Sequence, residues 1–171
     1  YDVDAASTEN FVRDVQARHA LDAEGAESVE KAVAEADIVT TTTPVRSPLI
    51  KARYIRKGTH INAIGADAPG KQELEIELLK RAQVVIDNWE QSSHAGEINV
   101  AVSKNIIKRE DICADIGEIV TGKKTGRADS EQITIFDSTG LAIQDIYSAC
   151  TIYRALISQH EAELGKIAFF D

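Results

Sequence analysis

Four continuous apolar or β-branched runs divide the chain. They are residues 37–43 (DIVTTTT), 59–65 (THINAIG), 83–88 (QVVIDN) and 132–140 (QITIFDSTG). Uninterrupted runs of this length are typical of parallel strands that are buried on both faces. Proline, glycine or small polar residues end each run, which predicts that a loop follows each strand.

The segments between these runs carry apolar residues every three or four positions, which is the period of an amphipathic helix. A hydroxyl side chain at Ser7 or Thr8 can cap the first helix, and Ser28 can cap the second. The predicted helices are residues 8–19, 29–36, 71–82, most of 89–122, and 141–164. Strands and helices therefore alternate, which predicts an α/β fold with a doubly wound parallel sheet.

The charge of the chain argues against some classes of partner. Its 28 acidic and 19 basic residues give a formal charge of −9, and like charges form no long block. A nucleic-acid groove or an anionic membrane surface is therefore disfavoured, and a small soluble ligand is favoured. Two cysteines are too few for a disulfide framework, and no apolar window reaches the roughly 18 residues of a membrane span. We expect a cytoplasmic protein.

Small, hydroxyl and glycine residues follow three of the predicted strands, in the sequences TTTTP, AIGADAPG and FDSTG. The carboxyl ends of parallel strands lie at one edge of a sheet, where ligands of doubly wound folds bind. We therefore expect the ligand site at this edge.

A dinucleotide-binding fold starts with a strand and a G-x-G-x-x-G turn, followed about 20 residues later by an acid that binds the ribose hydroxyls. No G-x-G occurs among the ten glycines, but Asp2 stands where that acid would stand. We expect the first strand and its glycine turn upstream of Tyr1, so that residues 1–140 form a partial NAD-binding Rossmann domain. The first strand of that fold is central, so the remaining sheet should contain a gap and the chain alone should be poorly stable.

Asp2 also favours NAD over NADP, because an acid at the ribose repels a 2′-phosphate. The alternative interpretation of Asp2 is a solvated terminal acid.

Four motifs in order resemble the ornithine cyclodeaminase and mu-crystallin family, most of all its archaeal-type alanine dehydrogenase branch. They are AIGADAPGKQEL, GEINVAVSKN, DIGEIVTGKKTGR and ITIFDSTGLAIQDI. The resemblance implies an NAD-dependent homodimer with a Rossmann-type domain and a separate domain for substrate binding and dimerisation. Residues 141–171 would then be a C-terminal helix and tail that pack toward this second domain.

The resemblance also implies roles for single residues. Asp67 matches the family's catalytic acid, which contacts the substrate amine and moves a proton. Ile64, Gly65 and Ala66 match the backbone that passes beneath the nicotinamide ring, and Lys71 matches a lysine near the cofactor.

Three hydroxyl residues match further positions of the family. Thr43 matches a threonine that touches the dinucleotide, although the run of four threonines leaves its register open by one residue. Ser138 matches a cofactor-side hydroxyl, and Thr139 matches the residue beside the substrate. Cyclodeaminases typically carry a second glycine and a cysteine where this chain has Ala66 and Ala68, which favours the dehydrogenase branch.

The residue types fit these roles. Gly65 and Gly70 let the backbone approach a flat ring that a Cβ would hinder. The charge of Asp67 suits binding an ammonium and passing a proton as an amine becomes an imine. The alternative interpretation of Asp67 is a turn residue that caps the next helix.

We therefore expect an NAD-dependent amino-acid dehydrogenase that interconverts L-alanine with pyruvate and ammonia by hydride transfer through an imine. Two alternatives stay open: an ornithine cyclodeaminase, and a non-catalytic NAD(P)H-binding protein of the mu-crystallin type. The residues that bind the substrate carboxylate and a catalytic lysine are expected upstream, so the chain should be inactive alone. His94 and Glu97 could face one metal ion, but no third ligand lies nearby, and we assign them a surface or helix-capping role.

Overall fold

The computed structural model describes residues 1–158, which belong to two compact units, residues 1–139 and the residues from Gly140 onward. The helices of this part of the chain are α1 (Ala5–His19), α2 (Val29–Val33), α3 (Ile76–Arg81), α4 (Trp89–Ala95), α5 (Asn99–Ser103), α6 (Ile116–Val120) and α7 (Ala142–Ser158). The strands are β1 (Ile38–Thr41), β2 (His60–Ala63), β3 (Gln83–Ile86), β4 (Ala114–Asp115) and β5 (Thr134–Asp137).

All five strands form one parallel sheet in the order β1-β2-β5-β3-β4. The chain therefore has an α/β fold, as the alternating pattern predicts. The last strand in sequence lies in the middle, since Ala63 of β2 and Ile86 of β3 both pair with Asp137 of β5. The carboxyl ends of these three strands are consequently level at one edge of the sheet.

The predicted gap in the sheet is wrong for the described strands, which pair without interruption. A gap requires strands on both sides of a missing one, whereas β1 lies at the edge of this sheet and pairs with β2 alone. Residues 1–3 lie outside the sheet.

The first two helices differ in how well their caps are predicted. α1 begins earlier than expected because Asp4, rather than Ser7 or Thr8, is its N-cap and accepts hydrogen bonds from the N–H groups of Ala6 and Ser7. α2 has the predicted cap, because the Ser28 hydroxyl accepts the Lys31 N–H at 3.2 Å.

Two other predicted helices are interrupted. The segment from residue 71 becomes helical only at Ile76, because Leu74 pairs with Ile50 and the Glu73 N–H donates to the Glu97 carboxylate. The two-residue strand β4 lies where a helix is predicted, and it is too short to produce a recognisable pattern.

Wholly buried aliphatic side chains form the core between the sheet and the segments that cover it. They are Ile61, Leu74, Leu78, Ile86, Ile98 and Ile135. β2, β3 and β5 each contribute one of them, and α3 contributes Leu78. β5 is the middle strand of the five, and its Ile135 pairs with Ile61 of β2 and Val84 of β3.

The second unit is described here by α7 alone. This helix carries Ile146, Tyr153 and Ile157 at helical spacing, as predicted, and buries none of its residues. The remainder of the predicted helix, up to residue 164, lies outside the described residues. Within residues 1–158, no helix is both long and apolar enough to cross a membrane.

We predict that Ile135→Ala lowers the free energy of unfolding by about 2–5 kcal/mol, because the substitution leaves a cavity under the central strand. Val120→Ala is the matched control, since that side chain is 79% exposed and its loss should cost no more than about 0.5 kcal/mol. Urea unfolding of both variants measures the difference. Equal losses in the two variants would contradict this description of the core.

Candidate functional site

The loops that follow β1, β2, β3 and β5 meet at the carboxyl edge of the sheet. The Ser138 N–H donates to the Ala63 carbonyl at 3.0 Å, which holds the loop after β5 beside the loop after β2. The Ile64 N–H donates to the Thr41 carbonyl at 3.0 Å, which continues the pairing of β1 and β2 by one residue. Three of the predicted site segments are therefore neighbours, as the parallel arrangement predicts.

A buried carboxylate joins the first two of these loops. Glu73 is 0% exposed. Its Oε1 accepts the Thr43 N–H at 2.6 Å and the Thr43 hydroxyl at 2.7 Å. Its Oε2 accepts the Gly65 N–H at 2.9 Å. Two predicted cofactor-contact residues thus share one acceptor that sequence analysis does not single out.

The contacts of Gly65 give a physical reason for a glycine at this position. A Cβ there would collide with the backbone nitrogen and oxygen of Thr43 and lie 2.6 Å from the Glu73 carboxyl carbon. The protein's own atoms therefore leave no room for a side chain at residue 65. Space for a flat ring is not needed to explain the glycine.

Two further buried carboxylates continue from Glu73. Glu97 accepts the Leu74 N–H at 2.6 Å and the Glu73 N–H at 3.0 Å. Asp137, at the end of β5, accepts the N–H groups of Glu97 at 2.9 Å and Ile98 at 3.3 Å. Glu97 thus binds the backbone of Glu73, and Asp137 in turn binds the backbone of Glu97.

Asp87 fixes the loop after β5. Its carboxylate accepts the Thr139 N–H at 2.6 Å and the Thr139 hydroxyl at 2.9 Å. The Asp87 N–H donates to the Asp137 carbonyl at 3.3 Å. We call Asp87, Asp137, Glu97 and Glu73 together the carboxylate chain.

Burial raises the pKa of two members of the carboxylate chain. Loss of solvation raises the pKa of Glu97 to about 8, although the N–H groups of Leu74 and Glu73 act in the opposite direction. Loss of solvation likewise raises the pKa of Asp137 to about 7, against the N–H groups of Glu97 and Ile98. These acids therefore bind protons in the folded chain at pH values where an exposed carboxylic acid is ionised.

Asp67, the predicted catalytic acid, lies in a different environment. Its side chain is 69% exposed and forms an ion pair with Lys71, which is 18% exposed. The hydrogen bond and the positive charge of Lys71 lower the pKa of Asp67. The Asp67 carboxylate is therefore ionised, and the described residues leave it open to solvent.

A tight turn brings Lys71 back to Asp67. The Lys71 N–H donates to the Ala68 carbonyl at 3.1 Å, and Gly70 has a φ of +81°. A proline at the second position and a left-handed residue at the third position define a type II turn, and Pro69 and Gly70 supply both. A side chain at residue 70 would be strained, so the turn explains this second glycine of the motif.

The remaining predicted site residues are less closely connected to the loops at the carboxyl edge of the sheet. Ala66 is buried and Ile64 is 40% exposed. The Asp2 carboxylate accepts the Asp4 N–H at 2.9 Å in the segment before α1, and no hydrogen bond joins it to the loops of the sheet edge.

A cleft of about 240 Å³ runs along the free edge of β1, lined by residues 38–43, by α2 and by Tyr1. Its volume lies below the roughly 300–1,000 Å³ of typical ligand pockets, so these residues alone do not enclose a dinucleotide. The Thr41 hydroxyl in its wall is buried, and none of residues 1–158 provides a hydrogen-bond partner for it.

Sequence analysis misses the carboxylate chain. Asp87 directly follows β3 and Asp137 is the last residue of β5, and this repeated position at the end of an apolar run is the available signal. The surface role assigned to Glu97 is wrong, because this side chain is 0% exposed and binds backbone N–H groups. Within residues 1–158, no three His, Cys, Asp or Glu side chains are arranged so that they could hold a metal ion.

Residues 1–160 match the sequence profile of the ornithine cyclodeaminase/mu-crystallin family. The chain belongs to this family. Among its members, the alanine dehydrogenase of Archaeoglobus fulgidus is 56% identical over 134 residues, which cover 78% of this chain and 41% of that protein. The resemblance of the four motifs is thereby confirmed at the level of the family.

Two solved structures of family members superpose closely on the chain. An archaeal alanine dehydrogenase dimer with bound NAD has a TM-score of 0.88 and 49% identity, with 99% of this chain and 52% of that chain covered. The Δ1-pyrroline-2-carboxylate reductase of Thermococcus litoralis, in complex with NADH and L-proline, has a TM-score of 0.88 and 30% identity. That match covers 94% of this chain and 50% of that chain. The chain thus spans about half the length of these relatives.

We predict that the stability of the chain falls as the pH rises from about 5 to about 8. Because the pKa of Glu97 and that of Asp137 are raised on folding, the folded chain binds more protons than the unfolded chain in this window. Glu97→Gln cannot ionise, so it should reduce the slope by up to about 1.4 kcal/mol per pH unit.

Urea unfolding across this pH range measures the slope. Glu77→Gln is the matched control, because Glu77 is exposed on α3 and should leave the slope unchanged. An unchanged slope in Glu97→Gln, or stability that rises with pH in the wild type, would contradict the raised pKa of Glu97.

Proposed function

We propose that the chain forms the cofactor-binding part of an NAD-dependent amino-acid dehydrogenase that interconverts L-alanine with pyruvate and ammonia. The observation that carries this proposal is the 56% identity with an alanine dehydrogenase, supported by the close superposition on an archaeal alanine dehydrogenase that holds NAD. In this proposal residues 1–140 form part of the NAD-binding domain. Residues 141–171 face a substrate and dimerisation domain of a cytoplasmic homodimer.

The proposed cofactor site lies at the carboxyl edge of the sheet. The backbone of Ile64, Gly65 and Ala66 supports the nicotinamide, and Thr43 and Ser138 contact the dinucleotide from either side. The hydrogen bonds that place Thr43 and Ser138 beside the loop after β2 support this assignment. Asp2 binds the adenosine ribose in the same proposal and favours NAD over NADP.

NAD supplies the acceptor for the hydride that leaves Cα of alanine. Asp67 binds the substrate ammonium and receives a proton from it as the C–N bond becomes an imine, which water then hydrolyses to pyruvate and ammonia. The ion pair with Lys71 supports this role, because it keeps Asp67 ionised before the substrate binds.

Thr139 lies beside the substrate in this proposal. Its hydroxyl and N–H both bind Asp87, which fixes the position of the residue against the end of β5. The exposure of Asp67 requires that further groups, outside residues 1–158, complete the substrate pocket and exclude water.

A second candidate function is the reduction of a cyclic imino acid. The equally close superposition on the pyrroline-carboxylate reductase favours it. Both candidates use the same hydride transfer between a nicotinamide and an amino-acid Cα, in opposite net directions.

The complete gene product that contains these residues distinguishes the candidates. Accumulation of NADH with L-alanine and NAD, matched by pyruvate and ammonia, supports the dehydrogenase. Consumption of NADH with Δ1-pyrroline-2-carboxylate alone would replace it with the reductase. Release of ammonia and proline from ornithine without net NADH would identify a cyclodeaminase, and NADH binding without any turnover would identify a non-catalytic protein.

We predict that Asp67→Asn in the complete gene product lowers kcat with L-alanine by about 10²–10⁴-fold, because the amide cannot accept the proton. The affinity for NADH should change little, since Asp67 contacts the substrate amine. Steady-state kinetics and NADH fluorescence measure the two effects.

Asp14→Asn is the matched control for this substitution. Like Asp67, Asp14 is exposed and forms an ion pair with a basic residue four positions later in the sequence. Its partner is Arg18, at 3.3 Å, and both residues lie on α1. The control should keep wild-type kcat. Wild-type turnover in Asp67→Asn would remove Asp67 from the proposed mechanism.

A further inference from the structure

We infer that Glu73 is a positioning residue for the proposed cofactor site, acting through Thr43 and Gly65. This inference rests on the proposed function, because it assumes that these two residues lie against a dinucleotide. Glu73 itself is buried and would not touch the cofactor.

The register of the sheet explains why this carboxylate is needed. β1 and β2 pair up to Thr41 and Ala63, so Thr43 and Gly65 are opposite each other two residues beyond the last pair. The Ile64 N–H continues the ladder by donating to the Thr41 carbonyl at 3.0 Å, but the N–H groups of Thr43 and Gly65 do not bind the opposite strand. Instead, the N–H groups of both residues donate to Glu73, at 2.6 Å and 2.9 Å. The carboxylate therefore ends the strand pair and sets the separation of the two loops.

The carboxylate has little freedom to do anything else. Its three acceptor contacts are to the Thr43 N–H, the Thr43 hydroxyl and the Gly65 N–H, which together use both oxygens. The backbone on which it stands is also fixed, because its carbonyl accepts the N–H groups of Leu49 at 2.8 Å and Ile50 at 3.0 Å. The buried segment that contains Glu73 thus fixes the position of Thr43 relative to Gly65.

An amide at residue 73 cannot reproduce this arrangement. A glutamine has the same length, but one of its two terminal atoms is an NH₂ group that donates hydrogen bonds. Either the Thr43 donors or the Gly65 N–H would then face another donor, and one loop would move away. A general loss of stability, by contrast, would leave the affinity of the folded protein for NADH unchanged.

The test compares Glu73→Gln with Glu75→Gln in the complete gene product. Glu75 is the matched control, because its carboxylate also accepts a backbone N–H, that of Ala52 at 2.7 Å, but does not contact Thr43 or Gly65. We expect Glu73→Gln to weaken NADH binding by about tenfold and Glu75→Gln to change it by less than about twofold. The KM for NAD should rise in parallel, while kcat at saturating NAD should stay within about threefold of wild type.

Thermal unfolding of each variant separates positioning from stability. If Glu73→Gln does not fold, Glu73→Asp replaces it, since this variant keeps the charge but is one methylene shorter. A folded variant at residue 73 with wild-type NADH affinity would overturn the inference, and so would an equal loss of affinity in Glu75→Gln. Failure of the wild type to bind NADH would instead overturn the proposed function.

Discussion

Hydrogen bonds from backbone N–H groups to buried carboxylates hold the functional edge of this protein together. Glu73, Glu97, Asp137 and Asp87 are almost completely buried, and each accepts two backbone N–H groups. A buried carboxyl group without such partners is strongly destabilising, and hydrogen bonds from backbone N–H groups offset the cost of its burial. The loops after the strands therefore depend on these four side chains for their positions.

The buried acids and Asp67 differ in their exposure and in the direction in which their pKa is shifted. The members of the carboxylate chain face the protein backbone, and burial raises the pKa of Glu97 and that of Asp137. Asp67 faces solvent, and Lys71 lowers its pKa. An acid that binds a substrate amine must be ionised and accessible, and in the described residues of the sheet edge Asp67 meets both conditions. The buried acids instead provide the rigid support on which such a site depends.

The strands could be predicted from sequence because long apolar runs mark them directly, and four of the five were predicted in this way. The order of the strands could not be predicted, because the insertion of β5 between β2 and β3 leaves no local trace in either strand. The start of α3 was also missed, since tertiary hydrogen bonds to Glu73 and Leu74 outweigh a helical pattern that begins at residue 71.

The meeting of the loops at one edge was predictable where glycine and hydroxyl residues follow strands. The loops of Thr43, Gly65 and Ser138 are neighbours as expected. The residues that hold these loops were not predicted, because a glutamate in a charged segment such as KQELEIELLKR gives no sign that it is buried. The cofactor and substrate roles of all the predicted site residues remain predictions, including those of Thr43, Gly65 and Ser138.

A crystal structure of the complete gene product with NADH and a substrate analogue tests the central claim most directly. The account predicts that the nicotinamide lies against the backbone of residues 64–66, with Glu73 still bound to Thr43 and Gly65. The Asp67 carboxylate should then lie about 3 Å from the position of the substrate nitrogen. A nicotinamide bound away from this edge of the sheet, or a Glu73 carboxylate released from both loops in the complex, would contradict the account.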